Sequence, residues 1–126
     1  MTVTTIYGAI RAVLLANLGV SSLVGSRIYT LELPDSCTFP AISIHKISDP
    51  YSRIKGSPRI QVSAWDKDPL IASQISKAVE TALDGYTGIQ GNFSIVQITP
   101  LDCNDLPADG AGLYQNSYDF LVLYKK

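Results

Sequence analysis

The segment Arg59–Tyr86, RIQVSAWDKDPLIASQISKAVETALDGY, constrains the fold most, because two periodicities meet in it across a short turn. From Arg59 to Trp65 the apolar Ile60, Val62 and Ala64 alternate with Arg59, Gln61 and Ser63, the period of a strand with one packed face. Trp65 interrupts the alternation. Asp66–Pro69 supplies turn chemistry, with Asp68 placed to cap a helix and Pro69 at its first position, where the missing N–H costs nothing. Ile71, Ile75, Ala78, Val79 and Ala82 then form one stripe of a 3.6-residue period, and Gly85 stands where the helix should stop.

The same reading extends to the rest of the chain. A first helix is expected to start at Thr4 or Thr5 and reach about Asn17, with Ile6, Ile10, Val13 and Leu14 buried and Gly19 ending it. Ser21–Gly25 reads as one further helical turn, Arg27–Thr30 as a short extended piece, and Leu31–Phe39 as a loop. Pro40–Ser48 should be a strand with Ile42 and Ile44 inward. Lys46–Pro58, with Asp49, Pro50, Ser52, Gly56 and Ser57, reads as a long mobile connection. Phe93–Thr99 and Leu113–Tyr124 complete the strands, the last with Tyr118, Phe120, Val122 and Tyr124 on one face, and Cys103–Gly112 joins them as a loop. The order helix, strand, hairpin, helix, hairpin (α-β-ββ-α-ββ) predicts an α+β fold. It comprises an antiparallel, at most mixed, sheet of about four main strands with two α-helices on one face. His45, Gln61, Ser63 and Asp119 are expected on the other face.

A chain of 126 residues is about one domain, taken here as 1–126, with enough length for one core. Its net charge of −1 and charged fraction of 17%, against roughly 25% in ordinary soluble domains, argue against bulk electrostatic binding to nucleic acid or anionic membrane. The N-terminus lacks the basic region and cleavage pattern of a signal peptide, and no apolar run approaches the roughly 18 residues of a spanning helix, so a soluble protein is expected. Cys37 and Cys103 fall in separate expected loops without C-x-x-C spacing, which reads as two reduced thiols.

Catalytic and metal chemistry finds little support. There is one histidine, and G-x-S-x-G, H-E-x-x-H and G-x-x-x-x-G-K-[ST] are all absent. The sharpest catalytic arrangement would join His45 to Asp119 or Cys103; a polar residue on an open sheet face is the simpler reading. Asp102, Asp105 and Asp109 lack the alternating ligands and terminal glutamate of an EF-hand, so they read as a solvated acidic loop, and no cofactor or metal is expected. Lys46, Arg53, Lys55 and Arg59 form an opposing basic cluster with a single aromatic, Tyr51, better suited to protein contact than to nucleic acid. A basic loop and an acidic loop on one subunit are expected to meet head to tail between neighbours, a contact that closes into a ring when the rotation allows.

Taken in order, the opening helix Ile6–Leu18, SLVGSRIY at Ser22–Tyr29, PAISIHKISD, QVSAWDKD, ALDGY at Ala82–Tyr86 and YQNSYDFLVLY resemble the tail completion or tail terminator proteins of long-tailed bacteriophages and prophages. The resemblance covers nearly the whole chain. It implies a structural virion protein assembled in the bacterial cytoplasm, a hexameric ring on the head-proximal end of the tail tube that stops tube growth. Its partners would be copies of itself, the major tail tube protein and the head connector. DNA would pass through the ring without sequence-specific binding. Two other readings stand beside it: another neck component, and a small ligand-binding α+β domain using the face around His45 and Asp119.

Overall fold

The structure, a computed structural model, describes residues 5–106, 110 and 112–126. Helix α1, Ile6–Ala16, is capped by Thr5, whose hydroxyl accepts from the Gly8 N–H, and buries Ile6, Ala9, Ile10, Val13 and Leu14. It ends at Asn17, not at Gly19. The Asn17 side chain accepts from the Val20 N–H and starts helix α2, Leu18–Val24, at 91° to α1. The single turn expected at Ser21–Gly25 is therefore the end of a separate helix whose start an asparagine cap determines.

Seven strands follow among the described residues: β1 Ile28–Thr30, β2 Ala41–Ser48, β3 Lys55–Gly56, β4 Arg59–Asp66, β5 Gly88–Gln90, β6 Phe93–Leu106 and β7 Tyr114–Lys125. Helix α3, Pro69–Leu83, lies between β4 and β5, with Asp68 accepting from the Leu70 N–H and Gly85 at φ +73° just past its end. The sheet order is β1-β2-β4-β7-β6-β5, with β3 beside the end of β7. All pairs are antiparallel except β1 with β2.

This corrects the expected architecture. The sheet is mixed, has seven strands instead of about four, carries three helices instead of two, and curls into a half-barrel. The additions have a common cause. β3 and β5 are two and three residues long, too short for an alternating pattern, and exist because longer strands offer them free edges. Residues Cys103–Leu106, expected in the Cys103–Gly112 loop marked by Pro107, Gly110 and Gly112, continue β6 because β7 supplies their backbone partners.

One core lies between the helices and the sheet. Ile42, Ile44, Ile60, Val62, Ile98, Phe120 and Val122 come from the strands, and Ile10, Leu14, Val20, Ile75, Val79 and Leu83 from the helices. On α3 the most deeply buried positions are Ala72, Ile75, Ser76, Val79 and Leu83, whereas Ile71, Ala78 and Ala82 are half-buried, so the seam is turned slightly from the expected stripe. No single helix among the described residues is long and apolar enough to cross a membrane.

Candidate functional site

The expected polar occupants of the second sheet face do stand abreast. His45 pairs with Gln61 and Gln61 with Asp119, while Ser43, Ser63 and Ser117 form the next row. They are not uniformly open: Ser43, Ser63 and Ser117 are buried, with the Trp65 and Gln115 side chains bonded to them, while His45 and Gln61 are half-buried. Each burial is matched by hydrogen bonding, as the cost of desolvating a hydroxyl requires. Trp65 Nε1 donates to Ser43 Oγ at 2.9 Å, Ser63 Oγ lies 3.1 Å from Ser117 Oγ, and Gln115 Nε2 donates to both at 3.0 and 2.9 Å. The broken alternation at Trp65 thus marks a side chain that ties β4 to β2.

Neither expected catalytic pair assembles. The Asp119 carboxylate accepts from Arg59 and from Gln61, and His45 makes no hydrogen bond to it. Cys103 lies on the helix side of the sheet, beside Ser76 of α3, and its thiol donates to Asn116 Oδ1 at 3.2 Å. His45 lies on the opposite side. A recess of about 500 Å³ between Ser43, His45, Trp65 and the loop holding Leu31 and Phe39 opens on that face. Among the described residues no group of three or more His, Cys, Asp or Glu side chains is arranged to hold a metal.

The charged residues divide into those spent within the subunit and those presented outward. Arg59 Nη2 lies 2.7 Å from Asp119 Oδ2, and Lys46 Nζ 3.2 Å from Asp49 Oδ2. Arg53 and Lys55 are exposed, and Lys55 sits opposite Lys125 in the β3–β7 pair. Lys126 lies 5.4 Å from the Tyr51 ring centre and donates to the Ser52 carbonyl at 2.8 Å, while its own N–H donates to the Ile54 carbonyl. The connection expected to be mobile is therefore fastened to the C-terminal strand. It carries a four-cation patch of Arg53, Lys55, Lys125 and Lys126, half of which the sequence reading missed. Only the pairing of β3 with β7 brings these residues together, and nothing local encodes that pairing.

On the acidic side, Asp102 and Asp105 are both exposed on β6 but belong to different faces of it. Asp102 pairs with Asp119 and accepts from the Cys103 N–H, whereas Asp105 pairs with Asn116 and accepts from its side-chain amide. Asp109 lies outside the described residues. The two charged ends are separated by the length of β7: Lys55 faces Lys125 and Asp105 faces Asn116, nine residues or roughly 30 Å apart along a strand.

A third cluster fastens α3 to β7. The Tyr118 hydroxyl donates to Glu80 Oε1, and Lys77 donates to Glu80 Oε2 at 2.8 Å. Hydrogen bonds from Lys77 and then from Tyr118 hold the Glu80 carboxyl below the ordinary carboxylate range. The bond to Glu80, helped by burial, pushes Tyr118 up to about 12. This stabilises an ionised carboxylate and a neutral phenol, a fastening that keeps both groups in one state around neutral pH.

Comparison with known proteins places these features. No curated protein sequence matches the chain at a significant level. Among solved structures, a chain from the virion of a native gene transfer agent particle superposes with a TM-score of 0.79 at 16% identity, over 96% of this chain and 95% of that one. That likeness establishes a shared fold. The profile of the family described as tail completion protein gp17 matches residues 8–125. With the match running through nearly every element described above, this protein belongs to the tail completion protein gp17 family, structural proteins of the virion tail.

Proposed function

We propose that this protein is a tail terminator, forming a hexameric ring on the head-proximal end of the tail tube. One face of the ring matches the last ring of tube subunits. The other cannot add further tube protein and is offered to the head connector. Termination is then steric and interfacial and requires no cofactor. DNA passes through the central hole without sequence-specific contacts, since strong attraction would hinder its sliding.

The observation that supports a ring most directly is the separation of exposed, opposite charges on one subunit, with Arg53 and Lys55 near one end of β7, Asp105 near the other and Asp102 opposite its middle. Different surfaces that complement each other form heterologous contacts, and these close into rings when the rotation per subunit allows. Lys46 and Arg59 act as supports for the basic end, because their charges are already paired within the subunit.

Deletion of the gene in the parent phage or prophage, followed by electron microscopy of the lysate, tests the reading. Overlong tails without heads are expected. Tails of normal length beside separate heads would instead assign a joining role, and normal virions would refute both.

A further inference from the structure

The acidic end of the β6–β7 hairpin contains a shaped recess as well as charge. Asp105 lines a notch of about 400 Å³ between the first turn of α3 and the hairpin, walled by Leu70, Leu106 and Tyr114. Leu70 is 78% exposed and Asp105 is exposed, so an aliphatic side chain and a carboxylate share one open cavity with Tyr114 beside them. Single exposed apolar residues are ordinary, but a recess that joins them to a charge resembles the pocket that receives an anchor residue at a protein interface.

The matching projection is on the same chain. Ile54 is 76% exposed and stands between Arg53 and Lys55. Its backbone is held in place, since the Lys126 N–H donates to the Ile54 carbonyl and Lys55 pairs with Lys125. A fixed apolar side chain between two long cations complements an apolar notch with an acidic rim, and holding it beforehand reduces the ordering cost of binding. The notch and the projection lie roughly 30 Å apart along β7, so one subunit cannot join them.

We propose that Ile54 of one copy of this chain enters the notch beside Leu70 and Tyr114 of the next copy, with Arg53 and Lys55 straddling the rim at Asp105. The proposal rests on the ring reading above and specifies its joint. The occupant is a second copy because shape and charge are both matched within this sequence. Since the two surfaces differ, the contact repeats head to tail.

Disulfide trapping tests this in a Cys37→Ser, Cys103→Ser background. Ile54→Cys and Leu70→Cys are introduced together and separately, and the proteins are oxidised at high concentration with and without tail tubes from the same particle. The doubly substituted chain is expected to give a ladder of linked species ending at the ring's copy number, while each singly substituted chain stays unlinked. Rings in native mass spectrometry without trapping would overturn the joint and leave the ring intact. Dimers from Ile54→Cys alone would also overturn it, by showing a symmetric contact. Monomers in every condition, tubes included, would overturn the ring reading itself. Ile54→Asp, at a site exposed enough to leave folding unaffected, provides an independent measure: loss of rings at least tenfold in concentration is expected, and unchanged ring formation would overturn the proposal.

Discussion

The Arg59 guanidinium lies 2.7 Å from the Asp119 carboxylate, linking β4 to β7 on the sheet face turned away from the helices. The same carboxylate accepts from Gln61 at 3.1 Å and is only 9% exposed. Removing it leaves two donors without their acceptor. Asp119→Ala should therefore lower the unfolding free energy by about 2–3 kcal/mol, the scale of charge-assisted bonds lost from a buried acceptor. Arg59→Ala should cost less, because the Arg59 side chain is 41% exposed and regains water. Urea midpoints that do not move in Asp119→Ala would refute this.

Because Arg59 is committed within the subunit and Arg53 is not, reversing their charges should separate stability from assembly. The pair Arg53→Glu and Lys55→Glu is expected to leave the melting temperature within about 2 °C while abolishing rings, as exposed substitutions usually change stability by under about 0.5 kcal/mol. Arg59→Glu is expected to lower the melting temperature. Light scattering that finds wild-type oligomers in the double variant would remove Arg53 and Lys55 from the interface.

The Tyr118–Glu80 bond predicts two pH limits. Tyr118 is raised to about 12 in the folded protein, so its contribution is fully present below the unfolded tyrosine value near 10 and is lost as pH rises through about 12. Glu80 is lowered, so its contribution is present above the unfolded carboxylate value and is lost as pH falls through the folded one. In Tyr118→Phe the alkaline loss of stability should shrink and the late tyrosinate absorbance should lose one residue's amplitude, Tyr29 and Tyr124 being raised as well. An unchanged absorbance titration would contradict the assignment.

The turned seam of α3 is testable by truncation. Ile75 is fully buried and Ile71 only half-buried, so Ile75→Ala should cost roughly 3–4 kcal/mol and Ile71→Ala under about 1.5 kcal/mol. Equal costs in chemical denaturation would restore the stripe that periodicity alone implies.

Gly56 is buried against Tyr124, where an added Cβ would stand 2.1 Å from the phenol ring. Gly56→Ala must displace either β3 or that ring, at a cost of about 1–3 kcal/mol. Combining it with Tyr124→Leu should recover at least half of that loss. A purely additive double-mutant cycle would show that the two positions do not meet.

Much of the scaffold could be read locally. The Thr5 and Asp68 caps, Pro69 at the first position of α3, Gly85 beyond its end and the alternation of β4 all appear as expected. The reach of α1 to about Asn17 is legible too, but that one asparagine both stops α1 and starts α2 is not, since a stop signal at Gly19 does not reveal it. The short β3 and β5 and the full length of β6 were hidden for another reason. For β3, β5 and the Cys103–Leu106 end of β6 the strand character is supplied by the edges they join, whereas Phe93–Thr99 of β6 reads as a strand by itself.

For the candidate interface the division is similar. Arg53, Lys55, Asp102 and Asp105 were visible as charges, but their availability was not: Lys46 and Arg59 are paired, Lys125 and Lys126 join the basic patch, and Leu70 and Tyr114 add a notch beside Asp105. By itself the sequence determined the two long helices, the main strands and the family resemblance, because caps and periodicity act over a few residues. Only the tertiary structure decided which strand edges were filled, that the serines of the polar sheet face were buried, and which charges remained free. Those outcomes depend on pairings between segments tens of residues apart, such as β3 with β7, whose partners cannot be chosen until the sheet has formed.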